Sequence, residues 1–101
     1  MKKGLELLMR LPETVKQRII EKYGSLEKYY DLVYNLYKLD YQIFQSKSAD
    51  ARIQRQKIQT TLYDLEDELE AFGLDDGLMV LSEISSDHSE IILIKFLNKL
   101  N

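Results

Sequence analysis

Apolar residues recur every three or four positions through most of the chain, and short runs of Gly, Pro, Ser and Asp interrupt them. That spacing is the helical period. From Pro12 onward, Val15, Ile19, Ile20 and Tyr23 mark one face, with Glu13 in the first turn. Proline suits the first helical position, where its missing N–H would have no partner anyway. Gly24 reads as the residue that ends this helix and Ser25 as the cap of the next one. These signals predict a helix over Pro12–Tyr23, preceded by a short helical turn at Lys3–Arg10.

From Leu26 to Gln45 there is no Gly or Pro. At 100° per residue, Glu27, Lys28, Asp31, Asn35, Lys38, Gln42 and Gln45 share one arc of about 100°. The rest is apolar or Tyr, except Asp40, which falls in the middle of the apolar side. So narrow a polar strip predicts a central helix covered on more than one side.

The segment Ala49–Phe72 carries a narrower stripe: Ile58, Leu62, Leu65, Leu69 and Phe72, spaced as a heptad seam. Continued backward, the seam passes through Arg55 and Ala51. A matching stripe on the central helix runs Tyr23, Leu26, Tyr30, Val33, Tyr37, Asp40, Phe44. If the chain reverses at Ser46-Lys47-Ser48, Phe44 lies level with Ala51, Asp40 with Arg55, Tyr37 with Ile58 and Val33 with Leu62. Tyr30 with Leu65, Leu26 with Leu69 and Tyr23 with Phe72 follow. The charged residue in each stripe meets one of opposite sign. The second stripe of the central helix (Tyr29, Leu32, Leu36, Leu39, Ile43) needs cover from the remaining segments.

Beyond Gly73-Leu74-Asp75-Asp76-Gly77, Asp75 or Asp76 can cap a short element at Leu78–Ile84. Asp87 with Glu90 three residues on fits a capping box opening a last helix, His88–Leu100. Both segments are also β-compatible, so a β-hairpin over 78–97, turning at Ser85–Ser89, is the alternative. The expected fold class is all-α. It is a small helical bundle on a long antiparallel helical hairpin (about 26–45 and 49–72), with a shorter N-terminal helix and C-terminal helices. Residues 1–101 are expected to form a single helical domain.

Composition narrows the chemistry. Scarce Gly (4) and Pro (1) leave little punctuation for a many-stranded sheet. The net charge of −3 exerts no global pull toward nucleic acid or anionic membrane. Absence of cysteine removes disulfides and thiolate chemistry, and a single histidine removes imidazole clusters within one chain. After Met1-Lys2-Lys3 no apolar run of signal-peptide length follows, and no stretch is long enough to span a membrane. The cytoplasm is the expected compartment, with no cofactor and no metal.

Candidate residues fall into four groups. Asp40 and Arg55 read as an interhelical ion pair that fixes register. Tyr residues concentrate at 23, 29, 30, 34, 37 and 41, mostly as core. Tyr34 and Tyr41 flank the seam beside the polar strip and are the choice for a partner-facing patch. Lys47, Arg52, Arg55 and Lys57 crowd the start of the second hairpin helix, and Asp64, Glu66, Asp67, Glu68 and Glu70 crowd its end. This order opposes the helix dipole and creates a basic tip and an acidic base. The acidic run lacks the ligand spacing of a calcium loop. His88, beside Asp87 in a polar stretch, reads as a surface residue. Val15–Val33 has the outline of a helix-turn-helix, but Glu27, Lys28, Asp31 and Asn35 offer no net positive charge to a DNA groove.

The expected function is a non-enzymatic protein–protein interaction module: a small regulator, adaptor, inhibitor or assembly factor. Another protein is the expected partner, a homodimer would supply missing core, and nucleic-acid binding through the basic tip is the alternative.

Overall fold

The computed structural model describes residues 2–100, which form five helices and no strand. They are α1 (Lys3–Met9), α2 (Glu13–Tyr23), α3 (Leu26–Ser46), α4 (Ala51–Ala71) and α5 (Gly77–Leu100). The chain is thus an all-α bundle on an antiparallel α3–α4 hairpin. The β-hairpin alternative is not formed, because residues 78–97 lie inside one helix.

The local signals that start and stop α2 and α3 act as their chemistry requires. Pro12 is the N-cap of α2. Gly24 takes φ 99°, costly for any residue with a Cβ, and its amide donates to the Ile20 carbonyl at 2.8 Å. The Ser25 hydroxyl accepts from the Lys28 amide at 3.0 Å, capping α3. At the far end, Lys47 closes α3 in the left-handed region, with φ 51°. The Ala51 amide donates to the Ser48 carbonyl at 3.1 Å, a turn that delays the start of α4 from the expected Ala49 to Ala51. Every residue assigned to the polar strip of α3 is exposed.

The C-terminal elements differ from expectation. The two expected pieces are one helix, and Ser85–Ser89 is no turn. Asp76 Oδ1 accepts from the Met79 amide at 3.3 Å at its start. From there Val80, Leu81, Ile84, Asp87 and His88 present one buried face. With no Gly or Pro between Leu78 and Leu100, nothing breaks the hydrogen-bond ladder.

The core gathers at one end of the hairpin, the base. Leu8, Leu11, Val15 and Ile19 from α1, α2 and their junction join Tyr29, Tyr30 and Val33 of α3. Ile58, Leu62, Leu65 and Leu69 of α4 and Val80, Leu81 and Ile84 of α5 complete the cluster. Each such side chain, fully buried, contributes about 1.5–3 kcal/mol. Two glycines permit the closest approaches. A Cβ on Gly4 would lie 2.5 Å from Ile84 Cγ1 and 3.0 Å from its Cα; one on Gly77 would lie 2.6 Å from the Glu66 carbonyl oxygen.

α3 is a buried hub only around Tyr29, Tyr30 and Val33. Of its second stripe, Tyr29 is buried, but Leu32 and Leu39 are 40% and 45% exposed. The cause is the reach of its neighbours: α1 and α2 are short and sit at the base, so α4 and α5 alone accompany α3 toward the tip. No helix among the described residues is long and apolar enough to cross a membrane.

Candidate functional site

The tip half of the hairpin leaves the large apolar side chains Leu39, Phe44 and Ile53 exposed. Asp40 and Arg55 meet there across the seam. Arg55 Nε donates to Asp40 Oδ1 at 3.1 Å and Nη2 to Oδ2 at 3.3 Å, a fork-on-carboxylate geometry. The Arg55 side chain is 41% exposed and Asp40 21%, so the pair sits at a wet margin and not in a dry core. The expected outer layer of Phe44 on Ala51 does not close. Phe44 is 58% exposed, and the Arg55 guanidinium carbon lies 4.8 Å from its ring centroid.

Two clefts flank this pair. One, of about 480 Å³, opens between the ends of α3 and α4 and is lined by Asp40, Phe44, Lys47, Arg52, Arg55 and Gln56 among others. A second, of about 210 Å³, lies between the hairpin and α5, lined by Tyr37, Tyr41, Phe44, Ser85, His88 and Ser89 with the same Asp40 and Arg55. The basic set expected at the tip is therefore divided. Lys47 and Arg52 line the larger cleft. Lys57 is exposed about 200° around α4 from Arg55 and lines neither.

Tyr34 and Tyr41, expected to front a partner-facing patch, are half-buried with their rings against His88. The centroids are 5.5 and 5.6 Å apart and the planes meet at 79° and 68°, edge to face in both cases. His88 is buried, not on the surface as the sequence reading had it. That reading took Asp87-His88 as a helix start, whereas the continuous α5 turns His88 toward α3. Burial, with Lys38 and Lys95 adding repulsion, holds the His88 imidazole below its ordinary pKa of 6.5. Among the described residues no hydrogen bond joins His88 to Ser85, Ser89 or Asp40, and Arg55 engages the Asp40 carboxylate.

Asp87 was also read as the cap of its own helix, and the structure assigns it elsewhere. Its buried carboxylate accepts from the Lys3 amide at 3.0 Å, the Gly4 amide at 2.8 Å and the Tyr30 hydroxyl at 2.8 Å. It thus caps α1, whose preceding residue Lys2 makes no side-chain cap. Burial and this hydrogen bond keep the Tyr30 phenol protonated far above its usual range. Glu90, the other half of the expected capping box, instead faces the Lys3 ammonium at 3.5 Å. The signal that could have found this is an acid on the apolar face of a helix, visible only when 77–91 is drawn as one helix.

At the base, part of the acidic run is answered by α2. Glu68 takes the Lys22 ammonium and the Tyr23 hydroxyl, and Arg18 Nη1 donates to the Ala71 carbonyl at 3.4 Å at the end of α4. Among the described residues, no three His, Asp or Glu side chains converge as a metal site would require. The last turns of α5 leave Leu93, Ile94, Phe96, Leu97 and Leu100 exposed. No protein family, curated protein or solved structure matches the chain.

Proposed function

We propose that the chain is a non-enzymatic protein–protein interaction module of the cytoplasm, acting through the tip of its helical hairpin as a small regulator, adaptor, inhibitor or assembly factor. The observation that carries this reading is Phe44. A large ring left 58% exposed, beneath a guanidinium and beside a cleft bearing Lys47 and Arg52, has the composition of an interface anchor within a charged rim. A partner offering an apolar side chain beside a carboxylate would satisfy both groups. The absence of a hydrogen-bonded nucleophile–base pair in the neighbouring cleft supports a binding role over a catalytic one.

Affinity capture with the wild-type chain, a Phe44→Ser/Arg52→Glu variant and a Tyr34→Ala/Tyr41→Ala variant tests it. Loss of one specific protein with the tip variant, helical content unchanged, is the expected result. An identical set of bound proteins for all three would overturn the tip as the contact surface. The second reading, nucleic-acid binding, draws on the exposure of Lys47, Arg52 and Lys57 at the basic tip. Binding of labelled DNA or RNA that falls steeply with salt and disappears in Arg52→Glu/Lys57→Glu would favour it.

A further inference from the structure

One face of α3 and one face of α5 enclose a cleft that the tip contact does not use. Tyr34, Lys38 and Tyr41 follow one another at helical spacing on α3, and His88, Ile91 and Lys95 do so on α5. They line a space of about 190 Å³ between the two helices. Its charge runs against that of the whole chain. Acidic residues outnumber basic ones, 17 to 14, yet no Asp or Glu lines this cleft, whereas Asp40 lines both clefts beside Arg55. Lys38 and Lys95 do line it, and the ion pairs among the described residues engage neither.

His88 is the buried member of this set. It is 7% exposed, and among the described residues no hydrogen bond reaches its ring. Burial opposes charging the imidazole, both lysines add to that, and no carboxylate offsets them. The acids nearest in the fold are committed elsewhere. Asp40, across the neighbouring cleft from His88, is held by Arg55 of α4, and Asp87 of α5 by Tyr30 and the amides of α1. From α3 the cleft otherwise receives the phenols Tyr34 and Tyr41. Two ammonium groups and an imidazole therefore converge where the fold supplies no counter-charge. Three such donors, from two helices, suit a doubly charged tetrahedral oxyanion. The space is smaller than the roughly 300–1,000 Å³ of pockets that enclose drug-sized ligands, so it takes one anionic group with a small substituent.

We propose that the α3–α5 cleft is a binding site for a phosphate-type dianion held by Lys38, Lys95 and His88. The dianion is inorganic phosphate or a small phosphate monoester, whose substituent would lie against Tyr34, Tyr41 and Ile91. The site is independent of the protein contact at the tip, since neither Lys38 nor Lys95 lines the cleft there. Its occupant ties α3 to α5 where α1 and α2 no longer reach.

His88 is the only histidine of the chain, so its ring signals in carbon–proton NMR spectra report on this site alone. Inorganic phosphate and phenyl phosphate are titrated separately into the full chain, near neutral pH and at constant ionic strength. The expected result is a saturating shift of the His88 signals and a rise in its titration midpoint when the site is filled. Sodium chloride should give a drift without saturation. Tighter binding of phenyl phosphate assigns a monoester, and equal or tighter binding of inorganic phosphate assigns the free ion. Lys38→Ala/Lys95→Ala removes two exposed side chains, so it keeps the helical circular dichroism of the wild type. It should weaken binding about tenfold or more. Arg10→Ala/Lys28→Ala makes the same change in net charge away from the cleft and should bind as the wild type does. In the chain without ligand, Lys38→Ala/Lys95→Ala should also raise the His88 midpoint, because the repulsion is gone. A response to both phosphates no different from that to chloride, or an equal loss of binding in the two double variants, would overturn the proposal.

Discussion

The Tyr30 hydroxyl donates to the Asp87 carboxylate at 2.8 Å, in a buried site that the first two amides of α1 complete. One acid thereby joins α1, α3 and α5, and it is the only polar link that does so among the described residues.

Replacing Asp87 by Ala leaves two helix amides and a phenol without their acceptor. Each unsatisfied buried donor costs about 1–3 kcal/mol, partly relieved by water entering the space. The expected loss is about 2–4 kcal/mol in a urea melt, a large fraction of the stability of a small domain. Asp87→Asn keeps the shape and one acceptor, and should lose roughly half as much. Hydrogen exchange would place the first opening at α1, whose N-terminal amides lose their cap. A melt of Asp87→Ala superimposable on wild type would remove the site from any structural account.

The Asp40–Arg55 pair should matter less than its position in two apolar stripes implies. With Arg55 41% exposed, solvent screens the attraction and the side chains lose entropy in holding the geometry. Asp40→Ala is expected to cost about 0.5–1 kcal/mol. A double-mutant cycle with Arg55→Ala isolates the pair, and a coupling above about 2 kcal/mol would mean a drier site than the exposed guanidinium allows.

The same pair shows what the sequence made legible. Two stripes of opposite polarity on one pattern were enough to place Asp40 opposite Arg55, because register along a hairpin is a one-dimensional problem. The stop at Gly24 and the cap at Ser25 are local chemistry and were readable for the same reason, whereas Pro12 stands one position before the first helical place the sequence assigned it. The roles of Asp87 and His88 were not. Both depend on whether Ser85–Ser89 turns or continues, and three serines in five residues carry no strong preference for either. The decision comes from packing, since Ile84 against Gly4 and Asp87 against α1 reward the continuous helix. The exposure of Leu32, Leu39 and Phe44 was hidden too. A hydrophobic stripe shows that cover is wanted, not how far the neighbouring helices reach.

Tyr29 is fully buried, and its hydroxyl has no hydrogen-bond partner among the described residues. Its ring packs on Tyr23 with centroids 5.0 Å apart, so the aromatic contact does not need the oxygen. Tyr29→Phe removes a desolvated polar group and keeps the packing. It should therefore be neutral or raise stability by roughly 1 kcal/mol, against the usual trend of core substitutions. A loss above about 1 kcal/mol would show that the hydroxyl has a partner after all.

His88 makes stability depend on pH in a direction its surroundings fix. Burial, then Lys38 and Lys95, hold its folded pKa below 6.5, so the unfolded chain binds a proton more readily than the folded one. Above about pH 6.5 both states are neutral at this ring, and its contribution to stability is fully present. As pH falls below that value the unfolded state gains its proton first, and stability declines until the lower folded pKa is reached, after which this group adds no further slope. Carboxylates titrate nearer pH 4, which separates their effect from that of His88. His88→Phe keeps an aromatic ring against Tyr34 and Tyr41 without the titration. Urea melts from pH 8 to pH 5 should show wild type losing stability below about pH 6.5 and His88→Phe staying level. The loosening should appear first between α3 and α5 near the tip, because protonated His88 faces two lysines there. Equal slopes for the two chains over that range would show that His88 is not the group responsible.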